Sequence, residues 1–506
     1  MKNRRNKDRL YFSALLIAIL SVSVLTFAGC KGSPRDKKSA NLPVKPVEVK
    51  LGALEDIPSV TDWNKKDYEA LVVSPDEQWI AVAGFDETIK LFSAMGELKW
   101  TFKIPESYGR SVTVSPDSKT VFAGECSMDG NVYAIDLNTG KKEWTYAVGN
   151  DVGRPESIKN TRWTEQACVY ALIASRDSLF AIGTRSKRVM LDLPDGSKIV
   201  HYPTETLLYR FNPENGKMLW RYPEKEIMDT RMPYPLFSEP MGQIVGANTS
   251  WRRKGAPEEK YLNGTVRLIN AETGTQSNEY RIEPAIMDYT SLWYGLSVSP
   301  NGKFVAAAVN DGRLFLFKVE KGPALRLLWR RDITKLLTVS GIPIYAGGKY
   351  SAVFDDGSVF VVSGNTYAKR TVADAEQEPP TEHPESNSVF LFGNNGDILW
   401  KWKAPGAIDG LSVLQESGLI AVLVNHNYIK NSLEASGFYF MKYQAGEKEP
   451  VARLGDFQLK GISVTGGFSP KGAYFTGIEV PIKLENNTVT GEHSLHIIPV
   501  KFIVGE

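Results

Sequence analysis

Residues able to carry out chemistry are few in this chain, and their spacing argues against a conventional metal site. The five histidines are His201, His383, His426, His493 and His496. The closest pair, His493 and His496, is three residues apart in a predicted strand. Side chains at that spacing point to opposite faces of a strand, so a shared metal ion would require a bend. No metal-binding residue is predicted.

Two Asp-Gly segments, DDGS (Asp355–Ser358) and NDGR (Asn310–Arg313), contain residue types found in calcium loops. Neither has the run of oxygen ligands ending in Glu that a calcium loop requires. Both are predicted to be hairpin turns in which glycine supplies the positive φ. The sequence also lacks a Gly-x-Ser-x-Gly nucleophile elbow and a Walker-type phosphate loop. No catalytic residue is therefore predicted.

The N-terminus is typical of an export signal. The basic stretch KNRRNKDR is followed by an uncharged run from Leu10 to Gly29, which ends at Cys30 before an abruptly polar segment. The end of that run, LTFAGC (Leu25–Cys30), resembles the bacterial lipobox, although Phe27 replaces the usual Leu. The resemblance implies cleavage before Cys30 and its modification by acyl chains such as palmitate. An uncleaved membrane anchor is the alternative, because the run approaches the ~20 residues that span a bilayer.

Charge and composition limit the partners of the mature chain. Formal net charge is +2, but the first 29 residues carry five basic residues and one acidic residue, so the remainder is close to −2. A near-neutral body gives no electrostatic reason to expect nucleic acid. Residues 31–50 combine Pro, Ser and Lys with little apolar content, which predicts a solvated tether. The predicted domains are a signal peptide (1–29), lipidated Cys30 with a flexible tether (30–60) and a folded body (61–506).

Two repeated phrases provide the elements of that body. The first is a turn followed by an apolar strand, as in SPDEQWIAVAG (Ser74–Gly84), SPDSKTVFAGE (Ser115–Glu125), SPNGKFVAAAV (Ser299–Val309) and SPKGAYFTGIE (Ser469–Glu479). The second is strand, Gly turn and strand, as in NVYAIDLNTGKKEW (Asn131–Trp144) and six variants of it. Repeats at about 40–50 residues predict a β-propeller, whose four-stranded antiparallel blades bury their faces against one another. We predict one eight-bladed propeller, with seven blades as the alternative.

The strand VEVKLG (Val47–Gly52) is predicted to close the ring by pairing with the final blade, which would remove an exposed edge. Surplus residues fall in predicted loops, including Gly149–Glu165, Thr184–Pro203, Trp251–Lys260 and the acidic Ala373–Ser386. Loops on a rigid scaffold commonly carry recognition.

The YAIDLNTGKKEW phrase and the SPD strand starts resemble the repeats of PQQ-type and WD40-like propeller proteins, the quinoprotein-like superfamily. The resemblance implies the propeller fold from about residue 60 to the end of the chain. It leaves function open, because such repeats occur in enzymes, scaffolds and sensors. A PQQ-dependent dehydrogenase of this superfamily would commonly use adjacent cysteines and a Ca²⁺ ion. Here the cysteines are Cys30, Cys126 and Cys168, none of them adjacent.

Cys126 and Cys168 fall in neighbouring repeats. In an exported protein they could form a disulfide, or they could be two buried small apolar residues. Both interpretations stay open from the sequence.

The leading hypothesis is a non-catalytic, membrane-anchored propeller lipoprotein that binds a protein partner in the bacterial cell envelope, without a cofactor. Its candidate recognition residues are Trp163, Trp251 and Trp293, which lie off the register of the repeats. Two alternatives are a PQQ- and Ca²⁺-dependent dehydrogenase and an extracytoplasmic protein that binds or senses a small ligand. The partner, the oligomeric state and the face used for binding are not determined by the sequence.

Overall fold

The computed structural model describes most of the body of the chain. The residues described are 42–54, 57, 70–84, 86–104, 108–156, 165–192, 196–201, 203–224, 228–229, 232–248, 264–283, 290–292, 294–339, 342–344, 346–364, 382–427 and 432–505. The predicted signal peptide and Cys30 lie outside them. Within them, no helix is long and apolar enough to cross a membrane. The two helices described there are short: α1 (Gly149–Val152) and α2 (Val500–Val504).

The strands form consecutive four-stranded antiparallel units, which we number 1 to 8. The first strand in the chain is β1 (Val47–Lys50), and it belongs to unit 8. The strands of units 1 to 4 are β2 (Ala70–Val73), β3 (Trp79–Ala83), β4 (Thr88–Ser93) and β5 (Leu98–Lys103); β6 (Tyr108–Val114), β7 (Thr120–Ser127), β8 (Asn131–Asp136) and β9 (Lys142–Ala147); β10 (Ala167–Ser175), β11 (Ser178–Ser186), β14 (Thr204–Phe211) and β15 (Met218–Tyr222); and β17 (Leu236–Ser238), β18 (Gln243–Ala247), β19 (Gly264–Asn270) and β20 (Gln276–Ile282).

Units 5 to 8 continue the same order. Their strands are β21 (Leu296–Val298), β22 (Phe304–Ala308), β23 (Arg313–Glu320) and β24 (Ala324–Asp332); β27 (Gly348–Val353), β28 (Val359–Ser363), β29 (Ser388–Phe392) and β30 (Ile398–Lys403); β31 (Ile408–Leu414), β32 (Leu419–Val424), β33 (Gly437–Tyr443) and β34 (Val451–Gln458); and β35 (Ile462–Phe468), β36 (Tyr474–Val480) and β39 (Ser494–Pro499) with β1. Smaller strands are inserted between these: β12 (Val189–Asp192), β13 (Lys198–His201), β16 (Met228–Asp229), β25 (Leu337–Val339), β26 (Ile342–Ile344), β37 (Ile482–Lys483) and β38 (Val489–Thr490).

Six of the units are separate four-stranded sheets, whereas units 2 and 3 join in one sheet of nine strands because β7 also pairs with β10. This all-β arrangement of four-stranded antiparallel sheets confirms the predicted fold class. Because two units share a sheet, the number of blades stays a prediction, and eight is the number that matches the repeat units.

The repeated Ser-Pro phrase forms the turn between the first two strands of a unit. In unit 1, Ser74 N donates to Trp79 O (2.9 Å), and Trp79 N donates to Ser74 Oγ (3.0 Å), so the serine closes the turn on both sides. Ser299 and Ser469 make the same pair of bonds in units 5 and 8. The fourth turn residue takes a positive φ, 64° at Glu77 and 69° at Gly302.

The Trp at the end of the second phrase packs against the next unit. Trp100 Nε1 donates to Leu137 O (2.8 Å), and a Cβ added to Gly140 would lie 2.8 Å from the Trp100 ring. This combination of an indole hydrogen bond and a ring over the next Gly turn recurs at three other tryptophans: Trp144, Trp220 and Trp329. Glycine is needed at these turns for both its positive φ and its lack of a side chain. We call each of these contacts a Trp–Gly contact.

The first strand of each unit lies at the inside of the ring. Neighbouring first strands contact one another around most of the ring, and β35 of unit 8 contacts β2 of unit 1, so the ring is closed. The hydrophobic cores lie between consecutive sheets; one of them contains Leu91 of unit 1 with Val121 and Ile135 of unit 2. Such radial packing buries faces that one sheet alone would leave exposed.

Strand β1 closes the ring, as predicted. It pairs antiparallel with β39, with Val47 opposite Ile497 and Lys50 opposite Ser494. Val47 and Val49 pack into the core of units 8 and 1. The boundary predicted at residue 60 is therefore wrong for this segment, since residues 47–50 belong to the propeller. The alternating valines of VEVK explain the difference, because in register with β39 they reach an apolar core.

At the same junction, Glu77 of unit 1 holds the Ser-Pro turns of units 1 and 8 together. Its Oε1 accepts hydrogen bonds from Ser469 Oγ (2.6 Å) and Lys471 N (2.8 Å), and its carbonyl oxygen accepts one from Tyr474 OH (2.9 Å). The first and last units are thus joined by side chains as well as by strand β1.

Candidate interaction face

The antiparallel order gives the ring two different faces. Connections from first to second and from third to fourth strand lie on one face, and all are short; the longest runs from Tyr443 to Val451. We call this the turn face. Connections from second to third strand, and from one unit to the next, lie on the opposite face. Several of these are long, up to the connection from Ser363 to Ser388, and we call this the loop face.

The three tryptophans predicted as a recognition surface, Trp163, Trp251 and Trp293, lie outside the described residues. The strands that flank them are described. Trp163 falls between β9 and β10, Trp251 between β18 and β19, and Trp293 between β20 and β21. Each of these strand pairs is joined at the loop face, so all three belong to connections of the same face.

Beneath the loop face, aromatic side chains from successive units stack across the start of the inner strands. The ring of Tyr234 lies 4.7 Å from that of Tyr294, which lies 5.3 Å from Tyr350. The guanidinium of Arg110 lies 4.5 Å from the ring centre of Tyr170. Tyr350 and Arg110 are almost completely buried. Burial raises the pKa of the Tyr294 and Tyr350 hydroxyls well above the ordinary value, so both stay neutral.

A buried polar chain continues this layer through units 6, 7 and 8. Lys349 Nζ lies 2.8 Å from Asp409 Oδ1, and Asn425 Nδ2 donates to Asp409 Oδ2 (2.8 Å). Asn425 Oδ1 in turn accepts from Ser463 N (2.8 Å) and Ser463 Oγ (2.9 Å). Tyr350 OH donates to the carbonyl oxygen of Asp409 (2.8 Å). Because the buried charges of Lys349 and Asp409 are paired, this part of the layer forms a fixed base under the loop connections.

Sequence reasoning did not identify this layer. Its members occupy the beginning of the first strand of a unit, as Arg110 does in YGRSV, Tyr350 in KYSAV and Asp409 in IDGLSV. A polar or aromatic residue recurring at that repeat position, before an otherwise apolar strand, is the signal that would have found it.

This layer also tests whether the residues fit PQQ and Ca²⁺. A Ca²⁺ site needs several oxygen ligands free to coordinate the ion. The buried carboxylate of the inner strands, Asp409, is already engaged by Lys349 and Asn425. Among the described residues, no group of three or more His, Cys, Asp or Glu side chains is arranged to hold a metal ion. This donor set does not fit a Ca²⁺–quinone site, and the prediction that the protein works without a cofactor stays a prediction.

Three histidines, His383, His493 and His496, each contact a different partner. His496 Nε2 lies 2.9 Å from Glu479 Oε2 inside unit 8, whereas His493 Nδ1 lies 3.1 Å from Gly52 O. His383 is buried, with Nε2 2.7 Å from Lys335 O. Their contacts are structural.

Cys126 and Cys168 lie opposite each other on β7 and β10, with Cα atoms 4.0 Å apart, and the structure joins them as a disulfide. They come together because the end of β7 leaves β8 and pairs with the first strand of the next unit. Both side chains are buried.

The acidic segment Ala373–Ser386 is only partly described. From Glu382 onward it is fixed to unit 6: Lys403 Nζ lies 3.0 Å from Glu382 Oε1, and Lys401 Nζ lies 2.9 Å from Glu385 Oε1. Glu382 and Lys403 also line a shallow surface crevice together with Asn387 and Asn427. The end of the predicted recognition loop is therefore part of the scaffold.

The loop predicted at Thr184–Pro203 is wrong at its start, because β11 extends to Ser186, and it also contains the short strands β12 and β13. Arg185 Nε donates to Glu165 O (3.0 Å), and Lys187 forms an ion pair with Glu205. These charges are already paired within unit 3. The predicted loop Trp251–Lys260 lies outside the described residues.

Comparison with known proteins agrees with the fold. The crystal structure of BamB from Moraxella catarrhalis is similar, with a TM-score of 0.50, 12% identity, and 84% of this chain and 96% of that chain covered. The WD40 repeats of RRP9 match with a TM-score of 0.45, 13% identity, and 91% and 99% of the two chains covered. None of the curated proteins matches the chain.

The sequence itself matches a family across most of its length. Residues 59–378 match the PQQ_2 family, whose description is "Outer membrane protein assembly factor BamB". This match confirms the predicted resemblance to PQQ-like propellers. The chain therefore belongs to the PQQ_2 family of BamB-like β-propellers.

Proposed function

We propose that this protein is a non-catalytic, lipid-anchored scaffold of the bacterial cell envelope that binds a protein partner through its loop face. The observation that carries the proposal is the contrast between the two faces. The long connections that break the repeat all leave the loop face, over a buried polar layer that holds their ends. Variable connections on a rigid base are the usual arrangement of a recognition surface.

Membership of the BamB-like family supports a protein-binding scaffold in general. The finer parts of the proposal come from the sequence: the export signal, the lipid on Cys30 and the location outside the cytoplasm. The three loop-face tryptophans supply the aromatic residues that commonly dominate the binding energy of protein interfaces. The acidic residues between Ala373 and Thr381 would favour a partner with a basic contact surface.

Site-specific photo-crosslinking in the native envelope tests the face. A photo-reactive amino acid is placed at Trp251 on a loop-face connection and, as a matched control, at Asn138 in an exposed turn of the turn face. We expect a discrete crosslinked protein from position 251 and none from position 138. The reverse result would place binding on the turn face and contradict the proposal.

Replacement of residues 367–379 by a short Gly-Ser linker tests the acidic connection. The deletion stops before Glu382 because residues from there onward are bonded to β30. We expect the crosslink to weaken while the melting temperature is retained. The matched control is an equally long Gly-Ser replacement in which every acidic residue of the segment is kept.

Two further measurements test the other parts of the proposal. Mass spectrometry of the mature chain, and release of a Cys30→Ala variant from the membrane, test the lipid anchor. Addition of PQQ and Ca²⁺ to the purified protein, followed by quinone absorbance and dye reduction, tests the enzyme alternative. Cofactor uptake with turnover would contradict the scaffold function.

A further inference from the structure

The direction of strand β1 shows where the N-terminal segment joins the ring. Because β39 runs from the loop face to the turn face and β1 is antiparallel to it, β1 begins at the turn face and ends at the loop face. Residues 42–46 therefore approach the ring on the turn-face side. They precede β1 directly, and Leu42 packs against the core of units 8 and 1.

Exposed apolar side chains surround this entry point. Val44 is 87% exposed just before β1, and Phe502 is 54% exposed in helix α2, just after β39. Both residues lie at the turn-face end of unit 8, Val44 before β1 and Phe502 in helix α2, which packs against β39 and β34.

The adjacent turn of unit 1 adds two more exposed apolar side chains. A Cβ added to Gly96 would lie 2.6 Å from Val49 Cγ2, so the turn from Ser93 to Leu98 packs directly against β1. Its side chains Met95 and Leu98 are 39% and 56% exposed. We call Val44, Met95, Leu98 and Phe502 the entry patch.

Three exposed charged residues neighbour the entry patch in sequence: two lysines, and Glu97 between Met95 and Leu98. Lys45 follows Val44 and Lys501 precedes Phe502, and both are exposed. Apolar side chains flanked by lysine are characteristic of protein surfaces that lie at the interface between headgroups and acyl chains, particularly where lipids are anionic.

We propose that the entry patch seats the ring on the bilayer that holds the lipid of Cys30, so that the turn face at units 8 and 1 faces the membrane and the loop face points away from it. The inference rests on the proposed lipid anchor, which brings the bilayer to this end of the chain. The acyl chains on Cys30 hold the protein at the bilayer, and the apolar side chains of the entry patch fix the orientation of the ring on it. The loop face is then free to contact a partner.

Fluorescence quenching on vesicles tests the orientation. A fluorophore is attached to the full chain at Met95→Cys or, as the matched control, at Val489→Cys; Val489 is an exposed apolar residue of the same ring junction but lies on the loop face. The vesicles contain phosphatidylethanolamine, phosphatidylglycerol and a lipid with a nitroxide on its headgroup. We expect loss of fluorescence at position 95 and little loss at position 489. Equal loss at both positions, or greater loss at 489, would overturn the proposal.

A second arm separates this proposal from the lipid anchor. The chain starting at Lys31 carries an N-terminal histidine tag and is held on vesicles by a nickel-chelating lipid, so the orientation is measured whether or not Cys30 is acylated. Failure of the proposed anchor appears separately, as an unmodified mass at Cys30 and no binding of the native chain to vesicles.

A third variant distinguishes docking from simple attachment by the tether. In the tagged chain, the substitutions Met95→Ser and Leu98→Ser are combined with a fluorophore at Phe502→Cys. We expect the fluorescence loss at position 502 to fall markedly, because two apolar side chains no longer enter the interface. An unchanged loss would show that the tether alone sets the position, and would overturn the docking proposal.

Discussion

The two faces of the ring are built on different principles. On the turn face, the same contacts occur again and again: serine-closed turns, and Trp–Gly contacts between successive units. Beneath the loop face, the contacts are individual, such as the pair of Lys349 with Asp409 and the stack of Tyr234 on Tyr294. The repeated face builds the ring, whereas the unrepeated face is where one propeller differs from another.

The junctions between successive units also differ from one another on the turn face. The junction of units 4 and 5 has no Trp–Gly contact; there Asn278 Oδ1 accepts from Leu325 N (3.0 Å), and Tyr280 packs on Phe317 at 4.7 Å. At the junction of units 8 and 1, Val49 takes the place over Gly96 that tryptophan takes elsewhere. Other contacts therefore join successive units where the Trp–Gly contact is absent.

The largest expected effect is at the loop face. In an Asp409→Ala variant, Lys349 stays buried without its carboxylate partner, since the two side chains are only 4% and 12% exposed. Breaking a buried pair from one side typically costs about 3–5 kcal/mol, and we expect the free energy of unfolding to fall by that order. Urea unfolding followed by tryptophan fluorescence measures it.

The control for this variant is Lys349→Met with Asp409→Leu, which removes both charges. It should recover much of the lost stability, because replacing a buried ion pair by apolar residues is often neutral. Equal losses in the single and double variants would show that the pair itself, and not an uncompensated charge, determines the cost.

The comparison of faces also explains which features could be predicted from the sequence. The turns and the strand pattern repeat, so SPDEQWIAVAG and NVYAIDLNTGKKEW predicted the sheets, and the alternating valines of VEVK predicted the closing strand. Single long-range contacts leave no repeated pattern. The pairing of Lys349 with Asp409 depends on two units meeting at the inside of the ring, which one-dimensional spacing does not report.

The next largest effect concerns Cys126 and Cys168, which are 42 residues apart in sequence. A bond closing a loop of that length restricts the unfolded chain and stabilises by about 4 kcal/mol. We expect Cys126→Ala with Cys168→Ala to lower the free energy of unfolding by that order. Reductant should have the same effect on the unsubstituted protein and no effect on the variant.

Thiol titration of the protein unfolded without reductant gives the direct check on that bond. No reaction at these two cysteines is expected. Reaction of both would show that they are free and that the two sulfurs are only neighbours.

A smaller effect is expected from the tryptophans of the turn face. Trp144 Nε1 donates to Pro213 O (2.9 Å), and its ring covers the turn at Gly216. Because the side chain is only partly buried, we expect Trp144→Ala to cost about 2–3 kcal/mol, below the full value for a buried tryptophan. The matched comparison is Trp400→Ala, since the corresponding turn at Gly446 has no atom within 4 Å of an added Cβ. Thermal unfolding should show the larger loss at Trp144; equal losses would contradict a role for the Trp–Gly contact.

Substitution of two glycines separates the packing on tryptophan from the strain of the left-handed backbone. Gly274 and Gly322 occupy equivalent turns with φ of 70° and 84°. An added Cβ would lie 2.6 Å from the Trp220 ring at Gly274 but in open space at Gly322. We expect Gly322→Ala to cost about 1 kcal/mol from the left-handed backbone alone, and Gly274→Ala about 2 kcal/mol. The difference between the two melting temperatures measures the packing on tryptophan, and no difference would show that the backbone conformation accounts for the whole requirement.

The smallest expected effect on stability concerns β1, the strand that closes the ring. The hydrogen bond from Lys50 lowers the pKa of the Glu48 carboxyl, and Ser494 Oγ adds a second at 2.9 Å. A folded-state pKa below the unfolded value contributes stability that is present above the unfolded pKa, about 4.5, and is lost as pH falls through the folded pKa. The melting temperature should therefore decline slightly more in the wild type than in Glu48→Gln when pH is lowered below about 4.5. Because both side chains are about half exposed, the difference is small and should shrink further in high salt. A difference that is unchanged by salt would mean that strand pairing, and not the charge on Glu48, responds to acid.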